Sequence, residues 1–589
     1  MQARERERGE FLRRLRGDPR FLARHAPALA SALYRKLVNR ITLALAPVHR
    51  GRKIWPDWLG ERTLPSRSGR AGGWPQPLPA YPQAPPQSPR SAPRVSAAGS
   101  GESRPGGDPE DYLADNRWGF LLESLLAQRD DWSGNLARCR VWIETHTDLT
   151  ERAWEPYSSC ERMANLLVFL AAMPAALRSA APAPLLDSFL GQSLHWVYRH
   201  LEYYGPTETN NHILNDARAL LLCGSAIGHT AAVDAAVRIL RRCLPDMITP
   251  AGFLRERSTH YQLVVLNWLL DAHKFLAART GEHDPDARFV HGYVERMVAA
   301  TAMLCDSAGG LLGLIGDVSP DATPGQSSAR LRRLYPEVWP PTDRMAASAR
   351  LSEDWFRLSA HTAVVLGNLP RGRYPTDFPT HGHCDATSFV WLLAGRDILV
   401  DPGRWRYTHD PVSQFQRSAL AHNVPLVDGF APLCESVLGR GNWCPLPYAG
   451  ARLEAEESEA GIVLRHDGFA RCTPVSSHCR QINLSATGLL VRDSFDGRGS
   501  VWLELCWQFA EDFLAFEPGA LQVRGGWCQV RMSIQGVPGP PHVQPACGAD
   551  PGGWISRAYG ERAAAPAVRL GWQVELPSVV TTQFQVTVP

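Results

Sequence analysis

Lysine is almost missing from this chain of 589 residues, since it occurs only at Lys36, Lys53 and Lys274. Arginine therefore supplies nearly all of the positive charge, and the formal net charge is only +3. So small a net charge gives no electrostatic support for nucleic acid as a partner. The planar guanidinium fork of arginine suits carboxylate and sulfate groups, so this composition is compatible with an anionic glycan.

Long hydrophobic runs are also lacking. No stretch approaches the roughly 20 apolar residues of a membrane span, so we expect no transmembrane segment. Residues 1–24 are charged throughout and lack the apolar centre of a secretory signal. The localisation stays open on these grounds. A cytoplasmic protein is expected from the sequence as written, and a periplasmic one if the start codon is misassigned.

Paired cysteine motifs are absent as well. The 13 cysteines are scattered, odd in number and never spaced as Cys-x-x-Cys. Free buried thiols are therefore expected. A bridge between Cys472 and Cys479 in an oxidising compartment is the alternative.

The length exceeds what a single hydrophobic core usually serves, so a multidomain α+β protein is expected. Residues 1–64 form a basic, partly helical extension in this interpretation, either packed on the main body or lying on an anionic membrane surface. Residues 65–109 are rich in Pro, Gly, Ser and Arg and are interpreted as a linker with too few apolar residues for a core.

Residues 110–306 show apolar positions at three- and four-residue steps, which predicts successive helices of similar length. Short breakers such as Pro245 separate them. The predicted helices span Tyr112 to Leu126, Arg162 to Leu177, Leu185 to Tyr203, Ile213 to Ile227, Ala231 to Leu244 and Tyr261 to Leu276.

Residues 307–589 change to short β-rich runs with glycine and proline turns, which predicts an antiparallel sandwich. Two of these runs are Leu489 to Asp493 and Val501 to Phe509. A helical domain followed by a β domain leaves a cleft at their junction, where ligand sites are common.

One segment near this junction carries several metal-ligand residue types. His381 and His383 are two positions apart, so on an extended chain they point the same way. Asp401 ends the next β-rich run, and His422 precedes another. The spacing is compatible with a three-ligand metal site that leaves one histidine for chemistry. Polar residues satisfied at a sheet edge are the alternative.

Five segments together resemble the heparinase II/III-like polysaccharide lyases, both in their residues and in their order along the chain. The resemblance covers roughly Asp111 to the C-terminus. The segments are Asn210-Asn211-His212, Glu256-Arg257-Ser258-Thr259-His260-Tyr261, His381-Gly382-His383, Asp401-Pro402-Gly403 and Ala421-His422-Asn423.

The resemblance implies a fold and an activity. The fold would be an N-terminal incomplete (α/α) toroid followed by a C-terminal antiparallel β-sandwich. The activity would be β-elimination on a glycan that contains uronic acid. Asn211 would neutralise the substrate carboxylate, Tyr261 would transfer a proton, and His381 would be a second catalytic or substrate-contacting residue.

The resemblance also implies further site residues. His383, Asp401 and His422 would bind zinc, in a mainly structural role. His212 is expected to add a donor for the substrate. From their position just past Asp-Pro-Gly, Arg406 and Tyr407 are candidates for binding an anionic sugar. A solvated surface arginine is the alternative for Arg406, and Tyr407 is open in the same way. The partner would therefore be an acidic polysaccharide or oligosaccharide, while the oligomeric state is not predicted.

Three interpretations of function remain open. A polysaccharide lyase, by analogy within bacterial exopolysaccharide or capsule metabolism, is the first. A glycoside hydrolase would need two opposed carboxylates, for which Glu208, Asp216 and Glu256 are the candidates. A non-catalytic glycan-binding or assembly protein is the third. Asn215 and Arg257 depart from residues common in the family, so the accepted sugar is not assigned.

Overall fold

The structure is a computed structural model. Besides the single positions 13, 16, 19 and 53, it describes residues 55–65, 78–81, 108–129, 131–178, 183–205, 209–306, 309–339, 349–369, 381–408, 410–432, 453–458 and 461–588. The basic helices predicted between Arg4 and Leu45 lie almost wholly outside these ranges. Glu208, one of the hydrolase candidates, also lies outside them.

Helices occupy the first half of the described chain. They are α1 (Pro109–Asp115), α2 (Gly119–Leu126), α3 (Trp132–Thr145), α4 (Pro156–Ala172), α5 (Ala175–Arg178), α6 (Ala183–Arg199), α7 (His212–Ile227), α8 (Thr230–Met247), α9 (Thr259–Thr280), α10 (Pro285–Leu304), α11 (Pro324–Leu334) and, among the strands, α12 (Pro411–Gln416). None of the described helices has both the length and the apolar character that crossing a bilayer requires.

The predicted helix from Tyr112 to Leu126 is wrong in one respect, because the structure breaks it into α1 and α2. Trp118 adopts a left-handed φ of 58° at the break and is almost fully buried. Side chains of α4 bind the interrupted backbone: Arg162 Nη1 donates to the Asn116 carbonyl at 2.6 Å, and Asn165 Nδ2 donates to the Arg117 carbonyl at 2.9 Å. Tertiary hydrogen bonds therefore compensate for the lost helical ones.

Other helix predictions differ in detail. Pro245 was expected to separate helices but lies in the last turns of α8. Helices α3, α10 and α11 were not predicted. Helix α11 lies beyond residue 306, where β structure was expected, and packs against α2 and α9. The residue boundaries predicted for the four domains stay predictions.

All named strand pairs in the described residues are antiparallel. One sheet has the order β1 (Ala349–Ser352), β2 (Trp355–Ala360), β3 (Ala363–Asn368), β4 (Phe389–Leu393), β5 (Arg396–Leu399). The larger sheet has the order β11 (Phe513–Glu517), β12 (Gln522–Gly525), β13 (Gln529–Gln535), β17 (Ala567–Thr587), β10 (Gly488–Gln508), β9 (Val475–Leu484), β8 (Gly461–His466), β7 (Leu453–Ser458), with β6 (Pro425–Val427) on β10 and β14 (His542–Ala546) on β17. Strands β15 (Trp554–Ile555) and β16 (Ala563–Ala564) form a separate pair.

The two runs predicted as separate strands, Leu489 to Asp493 and Val501 to Phe509, belong to the single long strand β10. The register against β17 shifts between Phe495 and Gly499, so the strand bends there without ending. A glycine in the middle of a strand often marks such a bulge rather than a turn.

The described residues form two main apolar cores. One lies among the helices, and the other combines side chains of both sheets, among them Trp391 and Trp507. Full burial of one such large side chain contributes roughly 1.5–3 kcal/mol. Two positions within the predicted linker also join the helical core, since Leu78 and Tyr81 are buried there. Residues 78–81 of the predicted linker therefore pack on the helical part of the chain, and the linker as a whole stays a prediction.

None of the cysteines within the described residues forms a disulfide, and this includes Cys472 and Cys479. Eight of these thiols are buried, Cys384 and Cys479 are half-buried, and Cys547 is exposed. The expectation of free thiols is confirmed for these positions.

Candidate active site

Asn211 and Tyr261 lie at the starts of two neighbouring helices, α7 and α9. The Ser258 hydroxyl caps α9 by accepting the Tyr261 backbone N–H at 3.1 Å. Asn211 is the N-cap residue of α7, but its side chain makes no capping hydrogen bond. Instead the amide Nδ2 donates to the Glu256 carboxylate at 2.8 Å. A mere helix-capping role is thus excluded for this side chain.

His381 joins these two residues from the β-rich half of the chain. Its ring lies flat on the Tyr261 ring, with centroids 3.5 Å apart and an angle of 6° between the planes. Its Nε2 atom is 3.3 Å from Asn211 Nδ2. The structure therefore brings together the three residues predicted to be catalytic, and all three are buried.

Asp317 holds His381 and was missed by the sequence analysis. Its carboxylate contacts His381 Nδ1 at 3.2 Å through one oxygen and His383 Nε2 at 2.9 Å through the other. Arg404 Nη1 also donates to it at 2.9 Å. Burial disfavours the charged carboxylate, but Arg404 and the two histidines outweigh it and hold the pKa of Asp317 well below its usual range.

Asp317 lies in a loop that passes very close to the backbone of its neighbours. Gly316, with φ of +83°, leaves so little space that an added Cβ would come within 2.6 Å of the His381 carbonyl. The Asp317 N–H donates to that same carbonyl at 2.8 Å. No local pattern distinguishes this aspartate in the sequence, because loop aspartates are usually solvated.

His381 and His383 reach the same carboxylate, as expected for side chains that point the same way. The segment itself is not a strand, however, since strand β4 begins only at Phe389. The two imidazoles are therefore aligned by their shared partner rather than by sheet geometry.

Glu256 lies on the other side of His381. It accepts the Asn211 backbone N–H at 2.8 Å and is 3.4 Å from His381 Nε2. Burial raises the pKa of Glu256, although His381 and Asn211 partly oppose this. With Asp317 on Nδ1 and Glu256 with Asn211 near Nε2, both nitrogens of His381 have polar neighbours.

The Asn211 amide is fully occupied on its nitrogen side. One hydrogen faces Glu256 and the other faces His381 Nε2, whereas its oxygen Oδ1 is buried without a partner. A substrate carboxylate can use this amide as a donor only by displacing one of these two acceptors.

His212 follows Asn211 but points to a different carboxylate. Its Nδ1 is 3.1 Å from Glu202, and its ring lies 4.5 Å from the Tyr157 ring. Burial disfavours the imidazolium, yet the Glu202 carboxylate outweighs this and raises the pKa of His212 to about 9. The side chain remains 34% exposed, so a cationic donor faces the solvent here.

Tyr407 contacts Tyr261 directly. Their hydroxyl oxygens are 2.5 Å apart, and the Tyr407 hydroxyl also donates to the Val318 carbonyl at 3.3 Å. Burial raises the pKa of Tyr261 well above its ordinary value, and it does the same for Tyr407. Both phenols are therefore protonated at neutral pH.

Arg406 does not share this cluster. Its guanidinium lies 3.8 Å from Asp111 and 5.0 Å from the Trp405 ring centroid. The side chain is 26% exposed and its Nε has no hydrogen-bond partner. Arg406 thus follows Trp405 and precedes Tyr407 in the chain but pairs with Asp111 rather than with the catalytic candidates.

The three residues predicted to bind a metal also converge. His422 Nε2 lies 3.1 Å from His383 Nδ1. The same atom lies 3.2 Å from the Asp401 carboxylate. Their ligand atoms are all within 4.8 Å of one another, and the three side chains are buried. Such a set has the composition of a zinc site.

The outer partners of these histidines fit a bound cation. His422 Nδ1 faces the Ser418 carbonyl at 2.8 Å, and His383 Nε2 faces Asp317. Both acceptors require an N–H from the ring, which leaves the lone pairs of His422 Nε2 and His383 Nδ1 facing each other and Asp401. A metal ion between them removes the repulsion, and metal-bound histidines typically donate the N–H of their other ring nitrogen to such an acceptor.

The surrounding motifs fix these ligands. Gly403 has a left-handed φ of +62°, and its backbone N–H donates to the Asp401 carboxylate at 2.8 Å. A Cβ at this position would collide with the Ser556 carbonyl oxygen. Asn423, next to His422, donates to the carbonyls of Phe389 and Val400 at 2.8 and 3.2 Å. The Asp-Pro-Gly and Ala-His-Asn motifs therefore have a structural explanation.

A cavity of about 590 Å³ lies next to the cluster among the helices. Arg117, Asp321 and Trp268 line it, and Asp321 accepts the Tyr157 hydroxyl at 2.7 Å. Asn211, Tyr261 and His381 are not among its lining residues. The cavity is therefore adjacent to the candidate active site and not part of it.

The carboxylates considered for a hydrolase do not form an opposed pair in the described residues. Asp216 is fully buried, where it accepts the Glu202 N–H at 2.5 Å and contacts the Cys160 thiol. Burial and the nearby Glu202 raise its pKa to about 8. Glu256 is bound to Asn211 instead, as described above.

Comparison with known proteins gives both a family match and similar folds. Residues 352–582 match the model of the family described as heparinase II/III-like, C-terminal. No match to a curated protein is found.

Among solved structures, a mutant of the heparan sulfate lyase HepC from Pedobacter heparinus is 16% identical, with a TM-score of 0.54 and coverage of 80% of this chain and 76% of that chain. A heparinase III structure is 13% identical, with a TM-score of 0.58 and coverage of 81% and 77%. At these identities the similarity concerns the fold.

Proposed function

Because residues 352–582 match the model of the heparinase II/III-like family, C-terminal part, we propose that the protein is a polysaccharide lyase. It cleaves an acidic glycan that contains uronic acid by β-elimination. The observation that carries the proposal is the convergence of Asn211, Tyr261 and His381 from two helices and a loop of the β-rich half.

The base in this proposal is His381. Asp317 accepts a hydrogen bond from Nδ1, so Nε2 is the proton acceptor once the Asn211 amide hydrogen that faces it turns away. His381 takes the proton from the carbon next to the sugar carboxylate. The electrons of that C–H bond form a carbon–carbon double bond and expel the glycosidic oxygen from the adjacent carbon.

The acid is Tyr261. Burial keeps the phenol protonated, so it can give its proton to the departing oxygen without any prior ionisation. Because the Tyr407 hydroxyl lies 2.5 Å away, the sugar can reach Tyr261 only when the two hydroxyls separate. Tyr407 then becomes a donor to the same sugar.

The substrate carboxylate is neutralised by several groups. Asn211 turns one amide hydrogen from His381 Nε2 to this carboxylate, which stabilises the charge that develops in the transition state. Burial raises the pKa of Glu256, which favours its neutral form next to the substrate carboxylate. The imidazolium of His212 and the guanidinium of Arg406 add attraction at the edge of the site.

His383, Asp401 and His422 bind zinc in this proposal. Their contacts with Asp317 and with the motif residues indicate a mainly structural role, because Asp317 joins the metal ligand His383 to His381. Zinc would supply the positive charge that fixes the three ligands and, through Asp317, the position of the base.

The finer architecture belongs to the same proposal. The helices of residues 110–306 form an incomplete (α/α) toroid, and residues 307–589 form a β-sandwich domain. The shared core of the two sheets supports the second statement. We place the activity within bacterial exopolysaccharide or capsule metabolism.

A lyase assay tests the proposal. The protein is incubated with a panel of acidic polysaccharides, and ultraviolet absorbance of the conjugated unsaturated sugar is followed. Absorbance supports the lyase. New reducing ends without absorbance indicate a hydrolase, and binding without either product indicates a non-catalytic glycan-binding protein; both results refute the proposal.

A further inference from the structure

Arg562 is held between two tryptophan rings next to the candidate active site. Its guanidinium carbon lies 4.3 Å from the Trp405 ring centroid and 4.2 Å from the Trp554 ring centroid. Arginine stacked on aromatic rings keeps its N–H donors in the plane between them. The two rings therefore restrict the direction in which these donors point.

Most of the hydrogen-bonding capacity of Arg562 is left for the solvent. One nitrogen, Nη1, donates to the Asp550 carboxylate at 3.2 Å, and the side chain is 28% exposed. Asp550 is itself 62% exposed, so this ion pair is weak. By contrast Arg480, a structural arginine, is fully buried and bonds to Asp493 and two backbone carbonyls.

The stack is joined to the residues of the candidate site. The Gly560 N–H donates to the Trp405 carbonyl at 2.8 Å, and the Tyr407 N–H donates to the Tyr559 hydroxyl at 3.2 Å. Tyr407 in turn contacts Tyr261. One short segment thus carries the stacked tryptophan, Arg406 and the tyrosine that contacts the proposed acid.

We propose that Trp405, Arg406 and Arg562 form a subsite that binds an anionic sugar residue next to the one that is cleaved. The inference rests on the proposed function and adds the part of the polymer that the catalytic cluster does not contact. A carboxylate or sulfate binds the exposed edge of the Arg562 fork in bidentate fashion. Arg406, whose guanidinium lies 5.0 Å from the Trp405 ring centroid, adds a second positive charge next to it.

Kinetics of Arg562→Gln and Arg562→Lys test this subsite. For a long acidic polymer, Arg562→Gln should raise KM about tenfold or more while kcat stays unchanged, because a charge-assisted bond to the substrate is lost. Arg562→Lys keeps the positive charge but lacks the planar guanidinium, so its KM should lie between those of the wild type and Arg562→Gln. Increasing salt should raise KM less in Arg562→Gln than in the wild type.

A matched control is Arg465→Gln. Arg465 is a partly exposed arginine of strand β8 that forms an ion pair with Glu456 of strand β7. The KM of this variant should equal that of the wild type. An unchanged KM in Arg562→Gln would refute the subsite. So would a fall in kcat and melting temperature at unchanged KM, since that indicates a purely structural stack.

The subsite can be separated from the lyase proposal by direct binding. If the wild type cleaves nothing, the proposed function fails, and calorimetry with oligosaccharides of heparan sulfate and of alginate decides the subsite alone. A weaker affinity of Arg562→Gln than of Arg465→Gln for either oligosaccharide supports it. Equal affinities, or no binding by the wild type, overturn it.

Discussion

The imidazole ring of His381 lies parallel to the phenol ring of Tyr261, with centroids 3.5 Å apart. One ring belongs to the start of a buried helix and the other to a loop that enters the β-rich half, so this contact joins the two parts of the chain. In the proposed reaction this contact lets the base His381 and the acid Tyr261 act on adjacent atoms of one sugar ring.

Replacing Tyr261 by phenylalanine should remove the proton donor and leave the ring stack intact. We expect kcat to fall by about 10²–10⁴-fold, the usual contribution of a positioned acid or base. The measurement is the rate of ultraviolet absorbance increase, together with the melting temperature. Tyr198→Phe, which removes a hydroxyl bonded to the Glu61 carbonyl, serves as control and should keep full activity. Full activity in Tyr261→Phe would exclude this phenol from the reaction.

Replacing Asn211 by alanine should remove the amide that stabilises the developing charge. We expect kcat to fall by about 10²–10³-fold, as for the loss of one preorganised donor. Asn211→Asp should be at least as inactive, because it places a second carboxylate near Glu256. If Asn211→Asp were more active than Asn211→Ala, charge neutralisation by this side chain would be wrong.

The charge of His212 predicts how activity depends on pH. Burial would lower its pKa, but Glu202 raises it to about 9, so the cation that attracts the glycan is present at neutral pH and is lost as the pH rises through about 9. In Glu202→Gln this loss of kcat/KM should begin more than two pH units lower, since the ordinary pKa of histidine is 6.5 and burial lowers it further. The measurement is kcat/KM against pH. Glu144→Gln, an exposed change, should reproduce the wild-type profile.

Metal analysis tests the cluster of His383, Asp401 and His422. We expect about one zinc ion per wild-type chain and a large loss in His383→Ala. Chelation of the wild type should lower the melting temperature and the activity together, because the ligands and His381 share Asp317. His283→Ala changes an exposed histidine far from the cluster and should retain the metal. Equal zinc content in His383→Ala and the wild type would contradict the assignment.

The buried pair of Asp493 and Arg480 predicts how stability depends on pH. Burial would raise the pKa of Asp493, but Arg480 outweighs it and lowers the pKa from 3.8 to about 2. The charged carboxylate therefore contributes about 2 kcal/mol above pH 4, which is lost as the pH falls to about 2. The difference in unfolding free energy between the wild type and Asp493→Asn should shrink over this range. Asp512→Asn, at an exposed position, should show no such change.

Much of the local structure could be predicted from patterns within short segments. The helices around Ile213 to Ile227 and Tyr261 to Leu276 are present nearly as expected, because apolar spacing reports the buried face of a helix. The break at Trp118 could not be predicted in this way. It depends on Arg162 and Asn165, which are more than 40 residues away and supply the missing hydrogen bonds.

The candidate site, too, could be predicted from the sequence only in part. The sequence alone determined which residue types are available, since motifs in a fixed order pointed to Asn211, Tyr261, His381 and the three metal-ligand candidates. Only the tertiary structure decided how they are held. The partner of His381 and His383 is Asp317, and the partner of Asn211 is Glu256. Electrostatic contacts act over a few ångströms regardless of distance along the chain, so a residue between motifs leaves no local signal of the charge it will balance.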